Sequence, residues 1–320
     1  MDYTYIDLPT FSLGDINQSI EKANESDLLF SDIELLKEAG FNSHYLCSAS
    51  QRSYDLAVDV VSKIEKKMNT SIKNIDAIIY STCFPINANL GLYKDFIDTK
   101  DVKHLLNYPG SQLQAKFEMN NAIVVGIDQQ ACTSMLGAIR LADMYLKCEP
   151  NFQEVLCLTA DRFPEGAKYE QTYNLISDGA AAIIATKEKK GFKVLACHQI
   201  TNGAMAEAND DETVGFYFNY THRLITEGLK KCNLNIQEIN YIIPQNTNIK
   251  AWNILSSLLQ FSMDKILMNG ISKIGHCISG DNIINLKLAI DNGTIKSKDK
   301  IIMIMAGYGL NWQMVILEKV

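Results

Sequence analysis

Arginine is scarce in this sequence. Only Arg52, Arg140, Arg162 and Arg223 supply guanidinium groups, and 37 acidic against 30 basic residues leave a net charge of −7. A nucleic-acid binder needs a basic face to neutralise phosphates, so that class is excluded. With 6 prolines and 18 glycines in 320 residues, collagen-like and linker-rich organisations fail as well. No 18 apolar residues run together, so no membrane-spanning helix is expected. The opening MDYTYIDLPTFSLGD has neither a basic n-region nor a long apolar stretch, so no leader is expected and a cytoplasmic setting is. The eight cysteines (47, 83, 132, 148, 157, 197, 232, 277) form no C-x-x-C pair. That argues against a zinc or iron–sulfur site and against a disulfide scaffold, and most read as small buried hydrophobes in a reducing compartment. No glycine-rich nucleotide fingerprint opens a helix after a strand. Neither a metal nor a bound cofactor is expected.

What is present is a folded α/β composition, 47% apolar and 21% charged, long enough for one large core or two fused units. An internal repeat favours duplication. SIKNIDAIIYSTCFP from Ser71 and NIQEINYIIPQNTN from Asn235 each follow a helical stretch. Each is followed by a further helix, CTSMLGAIRLADMYL from Cys132 and ISGDNIINLKLAI from Ile278. Each of those helices leads to one more apolar strand, EVLCLTA at 154–160 and KIIMIMAG at 300–307. Chance alternation in any α/β chain is the bland alternative. Continuous apolar runs such as AIIYSTC, IVVGID and IIMIMAG predict strands covered on both faces, with parallel pairing. The expected organisation is two similar halves, 1–184 and 185–320. GAAAIIATKEKKGFKVLACHQI reads as a hairpin-like pair joining them, and 201–220 as a loop or cap.

Cys132 opens an amphipathic helix on which Met135, Ile139, Ala142 and Tyr145 recur at helical spacing. A thiol there meets unpaired backbone N–H groups and the positive end of the helix dipole, both of which favour the nucleophilic thiolate. The small neighbours Ala131, Thr133 and Ser134 leave room for a substrate. A buried spectator thiol is the alternative, and the other seven cysteines take that reading.

The segment Asp128-Gln129-Gln130-Ala131-Cys132 resembles the nucleophile motif of the beta-ketoacyl-acyl carrier protein synthase III family, of the thiolase fold. Further likenesses follow in order. LLKEAGFNSHYLC (35–47), YDLAVDVV, IDAIIYSTCFP, SDGAAAIIA (177–185) and the closing MAGYGLNWQMVILEKV are each similar to a family segment, so the resemblance covers nearly the whole chain. It implies duplicated α/β halves in a five-layered α-β-α-β-α arrangement, an acyl-thioester on Cys132, and a homodimer. A heteromer with a homologue is the alternative.

Two positions depart from the family. Its histidine lies in a P-H-Q-x-N turn, where this chain has Pro244-Gln245-Asn246-Thr247-Asn248; its asparagine lies in a G-N motif, where this chain has Gly275-His276. Gln245 still offers an amide donor, and His276 can donate, accept or carry a proton near neutral pH. The expected catalytic set is therefore Cys132, His276 and Gln245, with an oxyanion hole at the backbone of Cys132 and Tyr308, beside Gly309. The favoured reaction is condensation of the Cys132-bound acyl group with a malonyl-type thioester. Transfer to an alcohol or amine without carbon–carbon bond formation is a second reading, and a non-catalytic partner subunit a third. His276, at a helix start, reads as the counterpart of Cys132 in the other half. As a metal ligand it would have only Asp281 nearby. The family's adenine-stacking tryptophan matches Leu35 and its phosphate-binding arginine matches Lys250, which makes a carrier protein a better-fitting donor than coenzyme A. Donor contacts are expected at Lys250, Lys37 and Asn248. Tyr308 replaces a loop glycine and would be strained if its φ were positive. Gly137, inside the Cys132 helix, marks either a close helix contact across a dimer or a surface position. Asp178 and Gly179 read as structural, His44 as part of a structural stretch near the pocket edge, and His104, His198 and His222 as surface or packing residues.

Overall fold

The structure, a computed structural model, describes residues 3–84, 93–106, 108–164, 166–171, 174–205, 210–308 and 310–320. Its strands in chain order are β1 (Tyr5–Leu13), β2 (Ile16–Ser19), β3 (Ser43–Leu46), β4 (Ala77–Ser81), β5 (Ile123–Ile127), β6 (Glu154–Asp161), β7 (Glu170–Gln171), β8 (Asn174–Leu175), β9 (Gly179–Thr186), β10 (Phe192–Thr201), β11 (Tyr241–Ile243), β12 (Lys300–Gly307) and β13 (Asn311–Lys319). Nine of them are hydrogen-bonded in the order β11-β12-β13-β10-β1-β9-β6-β4-β5. Outward from the β1/β10 junction the order is β1-β9-β6-β4 on one side and β10-β13-β12-β11 on the other, so the two arms share one topology. Pairing is parallel where helices cross over (β4 with β5 and β6, β11 with β12) and antiparallel elsewhere in the ladder, so the sheet is mixed rather than parallel throughout.

Alternation along the strands builds five layers. Ile78, Tyr80, Leu156, Leu158, Ala182 and Ile184 face the outer helices Ser53–Glu65 and Pro109–Lys116, together with Leu56, Val60 and Leu113. The intervening residues Ile79, Cys157, Ala181 and Ile183 turn inward to the helices Ser134–Cys148 and Asp281–Asp291, where they meet Met303, Met305, Val315 and Leu317 of the second arm. On the far side, Ile242, Ile302, Ile304 and Trp312 pack under the helices Asp210–Lys231 and Ile249–Leu259. Strands covered on both faces read as unbroken apolar runs, which is why β4 and β12 are legible in the sequence.

Three expectations are corrected. The apolar runs of β9 and β10 are not paired with each other, because β1 lies between them and is antiparallel to both. The second half of the 201–220 stretch is not a loop: from Asp210 the chain is helical, and the helix continues to Lys231. The run IVVGI forms β5 at the edge of the sheet, and its Ile123 is 44% exposed rather than covered.

Gly137 does not lie on the surface. It is buried, and a Cβ there would lie 1.9 Å from Gln130 Oε1 of its own chain. Asp178 is structural: its carboxylate accepts the N–H groups of Cys47 and Phe163 and the Tyr169 hydroxyl. A Cβ on Gly179 would strike the Cys277 sulfur. His44 is held by Ile176 O and Gln18 Oε1.

Candidate active site

Each central helix is entered through a short 3-10 turn, Ala131–Thr133 before Ser134 and Ile278–Gly280 before Asp281. The first residue of each turn is left-handed, Ala131 at φ 45° and Ile278 at φ 43°. Such a conformation costs roughly 1–3 kcal/mol for a residue with a Cβ and persists only where its surroundings impose it. Here the two turns lock together: Ser134 and Ser279 share a hydroxyl–hydroxyl hydrogen bond of 2.9 Å, and Ser279 Oγ donates to Ala131 O. Matching the turns residue by residue pairs Cys132 with Ser279. His276 precedes its turn and is not the counterpart of Cys132.

Cys132 is 5% exposed, at the mouth of its helix. Cys132 and His276 line the same cavity, and Cys83, just past the carboxyl end of β4, packs against the same core cluster as Cys132. The Cys83 hydrogen bond pulls the Cys132 thiol well below its ordinary range; burial opposes this, and the bond and charge of His276 add to the pull. Burial works against the His276 imidazolium, but the charge and hydrogen bond of Asp281 and the Cys132 contact outweigh it and push His276 up. The two shifts agree on an imidazolium–thiolate pair.

Behind the imidazole, His276 Nδ1 lies 2.5 Å from Asp281 Oδ2. A carboxylate there fixes Nδ1 as the protonated nitrogen and leaves Nε2 for the thiol. Asp281 is itself fully buried and accepts the N–H groups of Cys277 (2.6 Å) and Asn246 (2.7 Å). A thiol and an imidazole on one cavity, with a buried carboxylate behind the imidazole, are groups that can serve as nucleophile, base and orienting partner. Sequence reasoning considered Asp281 only as a possible metal neighbour. The signal that could have found it is its place five residues after His276, across one turn at a helix start. Among the described residues no group of three His, Cys, Asp or Glu side chains is placed to hold a metal.

Gln245 sits on the turn after β11. Its Oε1 accepts the Ala306 N–H at 2.7 Å, which orients the amide NH2 the other way. Asn246 ties this turn to Gly275 O and to Asn285, so the Gln245 and His276 segments are fixed to each other. β12 ends against Cys132, since a Cβ on Gly307 would lie 3.0 Å from Cys132 N. Tyr308 follows, half exposed and without a positive φ, so the anticipated left-handed strain is absent. Gly309 lies outside the described residues.

A cavity of about 350 Å³ reaches Cys132, His276 and Gln245. Its walls are largely apolar and aromatic, with Tyr217, Phe218, Ile254, Tyr308, Leu310 and Trp312, and Trp312 is stacked on Tyr220 at 4.4 Å. Asn248 and Lys250 also line it, whereas Lys37 does not. Asn248 caps the helix that begins at Ile249, accepting from Lys250 N. Both lysines are engaged, Lys250 with Glu38 and Lys37 with Glu21 and Glu34.

Known proteins resemble this chain over nearly its whole length. The 3-oxoacyl-[acyl-carrier-protein] synthase III family matches residues 128–203, and its C-terminal region matches residues 229–319. A beta-ketoacyl-[acyl-carrier-protein] synthase III of Aquifex aeolicus is 24% identical, over 90% of this chain and 91% of its own. The solved 3-oxoacyl-[acyl-carrier-protein] synthase III of Aquifex aeolicus superposes with a TM-score of 0.82 at 20% identity, covering 98% of this chain and 99% of that one. ChlB3, an acyltransferase, superposes with a TM-score of 0.83 at 16% identity, covering 99% and 98%. At these identities the two structural likenesses establish the thiolase fold.

Proposed function

The chain belongs to the beta-ketoacyl-acyl carrier protein synthase III family, as a divergent member, and from that premise we propose that it is an acyltransferase that loads Cys132 and passes the acyl group to a hydroxyl or amine. The observation that carries this reading is the Asp281 carboxylate behind His276. Decarboxylative condensation makes its nucleophile by loss of CO2 and requires donors to the enolate. Transfer to an alcohol or amine requires a base, and a buried carboxylate behind an imidazole equips one.

The steps balance. The Cys132 thiolate attacks the carbonyl of an acyl thioester, and the oxyanion is held by backbone N–H groups at Cys132 and the end of β12 around Tyr308. The carrier sulfur departs and takes the proton from His276, leaving a neutral imidazole beside the acyl-enzyme. His276 then accepts the proton of the incoming hydroxyl or amine as that group attacks. The acceptor leaves as an ester or amide, and the imidazolium–thiolate pair is restored.

Condensation with a malonyl-type thioester is the second reading. The Gln245 amide supports it, because with Oε1 committed to Ala306 the NH2 is available as a donor beside His276. A cavity that reaches the thiol weighs against a non-catalytic partner subunit. The donor is an acyl carrier protein or coenzyme A, with Asn248 and Lys250 at the cavity wall as its contacts; the Glu38 partner of Lys250 argues for a donor that does not depend on a bare cation. A homodimer formed through the β5 edge accounts for the exposed Ile123, and eight free thiols fit a cytoplasmic setting. No helix among the described residues is long and apolar enough to cross a membrane.

The test starts from protein pre-loaded with a radiolabelled acyl group. Malonyl-carrier and a panel of alcohols and amines are then added separately. Ester or amide formation without CO2 release supports transfer. CO2 release with a carbon-extended product from malonyl-carrier alone would establish condensation instead.

A further inference from the structure

Four residues give the cavity a polar wall. Gln245, Thr247 and Asn248 come from the turn between β11 and the helix Ile249–Leu259, and Asn174 comes from β8. Each carboxamide oxygen on this wall is already spent. Gln245 Oε1 accepts the Ala306 N–H at 2.7 Å, and Asn248 Oδ1 accepts the Lys250 N–H at 3.0 Å. Asn174 Oδ1 accepts the Thr247 hydroxyl at 2.9 Å and the Asn248 N–H at 3.3 Å. A backbone N–H can only donate, so these bonds fix which end of each amide is the oxygen. The three NH2 groups remain. None bonds to a described residue, and none is a buried atom cut off from solvent. Gln245 is buried, Asn174 and Asn248 are half-buried and Lys250 is exposed, so the wall runs from the inner end of the cavity to its mouth.

We propose that Asn174 is a specificity-determining residue, and that the hydroxyl or amine substrate accepting the acyl group carries a neutral carbonyl oxygen to which the Asn174 NH2 donates. The inference rests on the acyl-transfer reading and names the class of its second substrate. Once Cys132 is loaded and the carrier has left, that substrate must pass this wall, because the cavity is the one that reaches both Cys132 and His276. A molecule without a carbonyl would cover the NH2 groups with apolar surface and leave donors unpaired, which costs binding. A carboxylate is the poorer fit. Lys250 is matched by Glu38, and the Asp281 carboxylate stands behind His276, so the described lining offers no spare positive charge. The aromatic side chains of Tyr217, Phe218 and Trp312 take the apolar remainder. Amide carbonyls on the carrier arm of the donor have the same chemistry, so loading and transfer are measured apart.

The test uses the full-length protein, pre-loaded with a radiolabelled acyl group, in wild type and Asn174→Asp. The aspartate keeps an oxygen to accept from Thr247 and Asn248 and replaces the NH2 with a second oxygen. The substrates offered are ω-hydroxypentanamide, ω-hydroxypentanoate and heptan-1-ol, matched in heavy atoms. Wild type is expected to transfer to the amide about tenfold faster than to either of the others, and Asn174→Asp to reduce that preference to about twofold or less. A wild type without the preference overturns the proposal. So does a variant slowed in proportion on all three, as a merely structural role would give, or one slowed only in loading from the acyl thioester. If the aspartate variant does not fold, Asn174→Ala replaces it, with the same readings. Binding to unloaded protein keeps the two failures apart. Hexanamide and heptan-1-ol are titrated by tryptophan fluorescence, since Trp312 lines the cavity. Preferential hexanamide binding that Asn174→Asp abolishes, in a protein that never forms an acyl-enzyme, would leave the Asn174 donor standing and defeat the acyl-transfer reading.

Discussion

His276 Nδ1 stands 2.5 Å from Asp281 Oδ2, both side chains buried, and Cys132 lines the same cavity as the imidazole. Asp281→Asn removes the charge while keeping the shape. Its amide can donate to Nδ1 and so impose the wrong tautomer. The acyl-transfer rate is expected to fall on the order of 10²–10⁴-fold, the scale seen when the carboxylate of a Ser-His-Asp triad is neutralised. Single-turnover chase of the pre-loaded acyl-enzyme measures it, with the melting temperature as a control because Asp281 also holds two backbone N–H groups. A transfer rate within a factor of three of wild type would refute the base role of the dyad.

His276→Gln tests the other half of the pair. The imidazolium lowers the Cys132 thiol, so its removal must raise that thiol towards its ordinary value. The thiolate exists above its titration point, so the alkylation profile moves to higher pH and the rate at pH 6–7 falls by about tenfold or more. Thiolate absorbance near 240 nm during a pH titration reports the same shift. A profile that stays in place would show that the imidazole does not act on the sulfur.

Gly137→Ala sets two effects against each other. Alanine gains about 1 kcal/mol of helix propensity over glycine. Its Cβ would meet Gln130 Oε1 at 1.9 Å, and Gln130 is bonded to Gln313 at 2.7 Å. Overpacking costs about 1–3 kcal/mol and the lost bond about 1 kcal/mol, so destabilisation wins. The urea midpoint is expected to fall. A rise would mean that Gln130 finds another rotamer without loss.

The exposed apolar edge of β5 predicts self-association. Ile123→Lys places a charge on that edge and is expected to shift sedimentation equilibrium towards monomer. An unchanged mass, whether monomer or dimer in both proteins, would contradict β5 as the interface.

What could be read in advance followed from local rules. β4 and β12 announce themselves as unbroken apolar runs, and the Cys132 helix announces itself by its periodicity. The candidate nucleophile follows from a thiol at a helix mouth, and the exchange at 245 and 276 from aligning two short turns. The rest depends on contacts distant in sequence. β1 separates β9 from β10 although its Tyr5 pairs with Thr186, 181 positions further along the chain (186 − 5), and no local pattern encodes this wedge. The edge position of β5 is invisible because edge and centre strands share the same apolar composition. Gly137 needs Gln130, and Asp281 acquires meaning only once the 278–280 turn folds it back onto His276.

The most direct measurement is intact-protein mass spectrometry after incubation with acyl thioesters on a carrier protein and on coenzyme A, with Cys132→Ala run in parallel. The account predicts an added mass of one acyl group on the wild-type chain, absent from the variant and lost again on addition of an alcohol or amine acceptor. A folded wild-type protein that gains no mass from any donor, or a variant that gains the same mass, would contradict it.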